Sequence, residues 1–419
     1  MLKNIILIIL IIILIKFAVT SNNTNDENKL KEDFTNIIKI DKNDKYKLNN
    51  LYYGLPCNYI KNDAFYTILD SYGFKVTTDI TEASLIVPCT YENISDEIKK
   101  IEDNKIGNNK FNKNVRIYMI NNTDYMVSKI LLWVFIVEKY GDKIASQIMP
   151  YTWYIASDEG FNDFKKVYDK NKLYITKNNA QRQEGLEIQN DIENINKTRD
   201  KYILIQELLQ DPYCINGRKI NLRVYCLLVK DTLGNVKIQL YRDGFMYYTA
   251  EPFEKNNKDF KKNITTGYID RQIYIDNPLT HKDFRKYLDS NRELYPVEKY
   301  IKQTNKLSDY IFEKIYAQLK LVLEVFVDKL GDKNNGISFQ LYGADIGIND
   351  SLKPLLMEIN KGPDLTFKDE RDGNLKRKLA EDIIKSIGLI ENDSNNDFIT
   401  VYERISINDK IYEIDFYPK

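Results

Sequence analysis

Asp345, Glu358 and Asn360 are the residues whose types and spacing point most directly at chemistry. They lie in GADIG (Gly343–Gly347) and in SLKPLLMEINKGPDL (Ser351–Leu365). Glu358 and Asn360 stand two positions apart, the strand period, so both side chains fall on one face. Asp345 belongs to an apolar run just upstream that reads as the neighbouring strand. Two carboxylates and an amide oxygen gathered at one end of a sheet form the hard donor set that Mg²⁺ requires. Mg²⁺ held this way usually bridges nucleotide phosphates, so the first expectation is an enzyme that uses ATP.

The cations such a metal would need are also spaced for the purpose. The run GRKINLR (Gly217–Arg223) puts Lys219, Asn221 and Arg223 at alternating positions, hence on one strand face. A cation fixed on a strand suits recognition of carboxylate or phosphate. Lys177 stands at the end of a strand-like run, and Lys129 lies in an apolar helical segment; both are candidate phosphate ligands. The loop NNAQRQEG (Asn178–Gly185) could close over phosphates, with Gly185 allowing close backbone approach. A lysine taken singly is far more often solvated than a ligand; order and spacing together favour a site.

Those residues must be carried by an α/β framework. Residues 51–122 have a strand–helix rhythm: a strand at Leu51–Tyr59, a helix at Asp63–Ser71 ending at Gly73, then strands at Phe74–Thr78 and Ala83–Cys89. This reads as a small doubly wound N-terminal subdomain. Asp124–Tyr140 is expected as one helix with an apolar face. Strands are expected at Lys172–Thr176, Ile203–Leu209, Leu222–Val229, Lys237–Tyr241 and Phe245–Thr249. Ser308–Leu330 reads as a long amphipathic helix, Ile337–Ile348 and Pro354–Ile359 as paired strands, and Asn374–Ile387 as a helix packed on them. Glu254–Asn263 and Thr280–Tyr300 are polar and expected at the surface. The core of interest spans 123–390, and 391–419 reads as a C-terminal extension.

Composition removes several function classes. The chain has 419 residues, 43% hydrophobic and 12% aromatic, enough for two or three packed domains. Lys+Arg and Asp+Glu are both 61, so the basic excess of a general nucleic-acid binder is lacking. The single histidine, His281, sits in a polar stretch and reads as a solvated surface residue, which argues against histidine-based metal sites and triads. Cys57, Cys89, Cys214 and Cys226 show no CxxC pairing, and Cys226 in RVYCLLV reads as a buried small hydrophobe.

The N-terminus fits two fates. Ile5–Ile15 is wholly apolar, Lys16 interrupts it, and Phe17–Val19 extends it weakly. The run is short for a comfortable ~20-residue span, and Ala18-Val19-Thr20 resembles a signal-peptidase site. Residues 1–20 are thus a hydrophobic anchor or a cleaved signal, with membrane contact through residues 2–19 in the first case and secretion or a lumenal location in the second. Residues 21–50 are a polar linker. ATP and Mg²⁺ are abundant in cytosol, so an ATP-using domain is expected to face it.

The joint pattern resembles the tubulin–tyrosine ligase-like family, a family of ATP-grasp ligases. The resemblance is carried by QELLQDPYCINGRKINLRVYCLL (Gln206–Leu228), YITKNNAQRQEGLEI (Tyr174–Ile188) and YGADIGINDSLKPLLMEINKGPDL (Tyr342–Leu365). INNTDYMVSKILL (Ile120–Leu132) and EASLIVPC (Glu82–Cys89) add support. It implies an ATP-grasp fold. Lys129 and Lys177 would hold the α- and β-phosphates, with Gly185 in the covering loop. Gln206, Glu207 and Leu208 would form the hinge that meets the adenine. Lys219 and Arg223 would face the γ-phosphate and the acceptor carboxylate. Asp345, Glu358 and Asn360 would hold Mg²⁺, with Lys219, Arg223 and Glu358 at the reacting end. The implied activity joins an amino-acid donor to a protein carboxylate, of tubulin or microtubules or of another acceptor, through an acyl-phosphate. Three positions depart from the family pattern: Asn221 replaces an acid beside the nucleotide, Tyr247 stands where an arginine is usual, and Thr265-Thr266 replaces Thr-Asn. Two other readings use the same residues: a catalytically weak ATP- or partner-binding module, and an ATP-grasp ligase acting on a small molecule or peptide.

Overall fold

All twelve residues of Ile337–Ile348 are buried, polar ones included, so this strand is covered on both faces and forms the spine of the molecule. It is seen in a computed structural model that describes residues 49–53, 63–87, 115–178, 185–267, 269–291, 306–331, 336–393, 395–407 and 410–416. The N-terminal hydrophobic run, most of the polar linker, Cys57, Cys89 and loop residues 179–184 lie outside the described residues. Among the described residues, no helix is long and apolar enough to cross a membrane.

The strands, in chain order, are β1 (Leu51–Tyr53), β2 (Lys75–Thr77), β3 (Leu85–Ile86), β4 (Arg116–Ile117), β5 (Thr152–Tyr154), β6 (Tyr174–Lys177), β7 (Leu186–Gln189) and β8 (Leu204–Glu207). They continue with β9 (Cys214–Ile215), β10 (Arg218–Lys230), β11 (Val236–Thr249), β12 (Thr265–Thr266), β13 (Ile337–Ile348), β14 (Pro354–Lys361), β15 (Phe398–Ile407) and β16 (Lys410–Asp415). Twelve of them form one mixed sheet in the order β16-β15-β11-β10-β13-β4-β3-β1-β2, with β12 on β11, β14 on β13 and β9 on β10. The other four form a second sheet, β5-β8-β6-β7.

The α/β expectation holds, with long-range detail that local patterns do not carry. The N-terminal strands are parallel, and they run on into the main sheet because Ile337 of β13 pairs with Arg116 of β4. Residues past 391 are likewise part of it, since β15 pairs with β11. Lys237–Tyr241 and Phe245–Thr249 form one strand, β11, because β10 beside it is long and continuous. The irregularity between them is absorbed as a register shift at Val224/Cys226.

Six helices matter here: α1 (Ala64–Ser71), α2 (Asp124–Val127), α3 (Leu131–Tyr140), α4 (His281–Ser290), α5 (Leu307–Glu324) and α6 (Glu370–Ser386). Asp63 caps α1 by accepting from Phe65 N–H at 2.8 Å. The chain leaves it through Gly73 at φ +76°, a conformation that favours glycine. The expected Asp124–Tyr140 helix is two helices. Ser128 is extended, with ψ 123°, and its Oγ accepts from Leu131 N–H at 3.3 Å, so it ends α2 and helps start α3. Lys129 stands in the break. The long helix expected to Leu330 ends at Glu324 and is followed by a 3₁₀ turn at Val327–Lys329.

His281 is the clearest correction. It is fully buried at the start of α4, its ring 5.3 Å from that of Phe312. The polar letters around it serve a helix start: Thr280 and Asp283 form a capping box. His281, Phe284 and Leu288 turn inward together. Burial, reinforced by Arg285, pushes the imidazole down to about 3 from 6.5. Between those values the unfolded chain binds a proton that the folded chain does not. Stability must therefore fall as pH drops below 6.5, by about 1.4 kcal/mol per unit. We expect wild type to lose about 2 kcal/mol between pH 6.5 and 5 through this group, and His281→Leu to lack that slope; urea denaturation at both pH values checks it. Cys226 is buried as expected.

Candidate active site

Four neighbouring strands set the site by register. Arg223 of β10 lies opposite Phe245 of β11 on one side and Asp345 of β13 on the other, and Asp345 lies opposite Glu358 of β14. One row across the sheet is therefore Phe245–Arg223–Asp345–Glu358. The next row reads Tyr225–Gly343–Asn360. A register shift between Asp345 and Ile346 falls at the metal-ligand candidates themselves, a common place for a bulge to re-aim a side chain.

Arg223 grips Asp345 with two hydrogen bonds, Nε to Oδ1 at 2.6 Å and Nη2 to Oδ2 at 3.1 Å. Asn360 Nδ2 donates to Glu358 Oε1 at 3.1 Å and to Asp345 Oδ2 at 3.4 Å. The two carboxyl groups stand close enough to shift each other's titration. Burial raises Asp345 to about 6 against the pull of Arg223. Burial acts on Glu358 too, but Lys177, the Asn360 amide and Arg223 together hold it below the usual carboxylate range. Of the two, Asp345 is the carboxyl that takes up a proton first as pH falls.

Two buried carboxyls flanked by an amide are hard oxygen donors gathered at one point, and a divalent ion there would favour the ionised form of both. The residues present fit Mg²⁺, with the Asn360 amide turned so that its oxygen faces inward. Among the described residues there is no cluster of three or more His, Cys, Asp or Glu suited to a metal; the candidate trio has two carboxylates and an amide.

The predicted lysines converge on this point. Lys177, at the end of β6, donates to Gln206 Oε1 at 2.8 Å. Burial pushes it down to about 8, opposed by Glu358 and assisted by Lys129. Lys129 donates to Asn178 O at 3.0 Å and is lowered by burial against Glu358. Lys219 donates to Leu209 O at 3.2 Å, and burial pushes it to about 8, with Lys177 adding to the effect. Three cations with weakened hold on their protons, close to one another, are a place where phosphate charge would be welcomed.

Other predicted residues have clear positions. Gln206 is buried and donates to Thr152 Oγ1 at 2.9 Å, so it orients Lys177 from behind. Glu207 pairs with Lys172 at 2.7 Å. The Leu208 N–H is committed to Leu173 O at 3.0 Å. Gly185 has φ +69°, and a Cβ there would collide with the Asn178 side chain. Asn221 lies between Tyr247 and Gly347 in register, and its buried Oδ1 has no partner among the described residues.

One residue escaped the sequence reading. A Cβ on Gly343 would stand 2.6 Å from Arg223 Cδ and 3.0 Å from Nη1, so the missing side chain is what lets Arg223 lean over to Asp345. The glycine in GADIG was its only signal. Gly343→Ala is expected to lose about 1–3 kcal/mol by overpacking and to displace the guanidinium; thermal melting and ADP-release assays check both. Tyr247, which departs from the family pattern in the sequence, lies against the same arginine: the Arg223 guanidinium is 5.1 Å from its ring centroid, a cation–π contact.

Comparison with known proteins covers the strands that build this site. The profile described as the Tubulin-tyrosine ligase family matches residues 100–396. A probable tubulin polyglutamylase of Rattus norvegicus is 32% identical over 190 residues, covering 44% of this chain and 38% of the relative. A probable beta-tubulin polyglutamylase of Tetrahymena thermophila is 27% identical over 256 residues, covering 57% of this chain and 21% of the relative. A probable tubulin polyglutamylase of Homo sapiens is 25% identical over 248 residues, covering 58% and 40%. The chain spans less than half the length of these relatives. With the profile covering well over half of its 419 residues, including every strand of the site, the chain belongs to the tubulin–tyrosine ligase family.

Proposed function

We propose that this chain is an ATP- and Mg²⁺-dependent carboxylate–amine ligase that adds glutamate to a side-chain carboxylate of tubulin. The observation that carries the reading is the row Arg223–Asp345–Glu358, with Lys129 and Lys177 close enough for Glu358 to shift both. The names of the similar polyglutamylases support glutamate as donor and tubulin as acceptor.

In this proposal Lys129 and Lys177 hold the α- and β-phosphates, and Gln206 keeps the Lys177 ammonium aimed at them. Gly185, Glu207, Leu208 and Asn221 border the nucleotide. Lys219 and Arg223 meet the γ-phosphate and orient the acceptor carboxylate for attack on phosphorus, giving an acyl-phosphate and ADP. The donor amine then displaces phosphate. Asp345, Glu358 and Asn360 would hold Mg²⁺, which when bound neutralises phosphate charge. No nucleophile on the enzyme is needed. The domain would work facing the cytosol, where nucleotide and tubulin are found.

The test is direct. Purified protein with ATP, Mg²⁺, tubulin and labelled glutamate should transfer label with one ADP released per glutamate. Absence of both label and ADP sinks the reading. A second reading, a nucleotide-binding module with little turnover, is favoured by one observation: Arg223 already spends two N–H groups on Asp345. It would show as nucleotide binding by calorimetry without ADP release.

A further inference from the structure

Behind the candidate active site, on the other face of the large sheet, lies a second cavity. Arg223 and Phe245 are direct cross-strand partners and so share a face. Gly244, next to Phe245, points the opposite way, and a Cβ there would come 2.5 Å from His281 Cε1. α4 therefore covers the far face, with α5 packed against it. A cavity of about 330 Å³ opens where α4 and α5 meet β11 and β15, a volume within the range of small-molecule sites.

Its walls carry both signs of charge. Arg285 of α4 is fixed in place. Its guanidinium lies 3.6 Å from the Phe312 ring centroid, donates to the Tyr316 hydroxyl at 3.2 Å and pairs with Asp309 at 3.4 Å. Arg242 of β11 and Glu313 of α5 line the same cavity. Neither the Arg242 guanidinium nor the Glu313 carboxylate has a hydrogen bond or ion pair among the described residues. Ile399 and Phe416 add an apolar wall. A simple anion would be drawn to Arg242 and repelled by Glu313, and a simple cation the reverse. A molecule that carries a carboxylate and an ammonium on neighbouring atoms meets both groups with the right sign. An apolar substituent on it would leave water against Ile399 and Phe416.

We propose that this cavity binds a free α-amino acid with an apolar side chain, its carboxylate on Arg242 and its ammonium on Glu313. The site shares no residue with the row Arg223–Asp345–Glu358 and does not depend on the ligase reading.

Calorimetric titration of the full chain tests it with three probes. They are L-phenylalanine, hydrocinnamate, which lacks the ammonium, and phenethylamine, which lacks the carboxylate. L-Phenylalanine should bind with a Kd on the order of 1 mM or tighter. It should bind about 3- to 10-fold more tightly than either analogue, the range for one charge-assisted contact at a partly exposed site. Arg242→Met should weaken L-phenylalanine by that factor without weakening phenethylamine. Glu313→Gln should weaken L-phenylalanine without weakening hydrocinnamate. Both side chains are exposed, so each variant should melt with wild type when no probe is present. Equal binding of the three probes, no binding of L-phenylalanine at about 10 mM, or unchanged L-phenylalanine affinity in either variant overturns the proposal.

Discussion

Glu358→Gln should cut glutamate transfer and ADP release by roughly 10²–10³-fold while leaving the melting temperature nearly unchanged. The substitution keeps shape and keeps an oxygen able to accept from Asn360 Nδ2, which now donates to Oε1 at 3.1 Å. What it removes is charge. Glu358 is held ionised by Lys177, Asn360 and Arg223, and in return it raises the pKa of both Lys129 and Lys177. Without that anion, Lys177 falls below its value of about 8 and is less fully charged at neutral pH. The hard donor set loses one carboxylate at the same time. Both effects weaken the hold on nucleotide phosphates, so the ATP KM should rise with the loss of kcat. Retention of more than a tenth of wild-type turnover would remove Glu358 from the reacting end.

Arg223→Met should have the larger effect on stability. Asp345 is buried and loses both hydrogen bonds to the guanidinium. Removing one partner of a buried pair strands the other, at about 3–5 kcal/mol. A proton relieves part of this, because Asp345 is already raised to about 6 and rises further without its cation. The neutral form dominates at low pH, so the destabilisation should be smaller at pH 5.5 than at pH 8. Urea denaturation at the two values measures it; a pH-independent loss would show that the pair is not electrostatic in origin. Arg223→Lys should recover part of the stability but little activity, since an ammonium cannot reproduce the two-pronged contact.

Much of this site was legible in the sequence, because its residues lie on strands with strong local signals. The bounds of Ile337–Ile348 match the observed strand, and period-two spacing placed Lys219, Asn221 and Arg223 on one face correctly. Lateral relations were not legible. That Arg223 meets Asp345 depends on register between strands more than a hundred residues apart, which no local window holds, and the facing of Asp345 and Glu358 depends on a register shift within the short β13–β14 pair. The break that exposes Lys129 needed the Ser128 conformation as well as the apolar stripe. His281 was misread for a related reason: a capping box and a solvated loop have the same letters, and only the packing of α4 against Phe312 separates them. Gly343 was invisible because its contribution is space, which has meaning only once Arg223 is known to cross it.

The arrangement of the large sheet has a consequence for how the protein comes to be made. Its central strand, β13, joins β4 through Ile337 and Arg116, and β11 joins β15 through Val236 and Arg404. During synthesis the N-terminal strands therefore emerge long before the strand that receives them, and β11 waits for a partner close to the end of the chain. Contacts this distant in sequence make folding slow. The waiting strands expose edges that other chains could pair with. The row of residues on which the chemistry depends is completed only when β14 has left the ribosome, so a product truncated before β14 would carry Lys129, Lys177 and Lys219 and lack Glu358 and Asn360 of the acidic end.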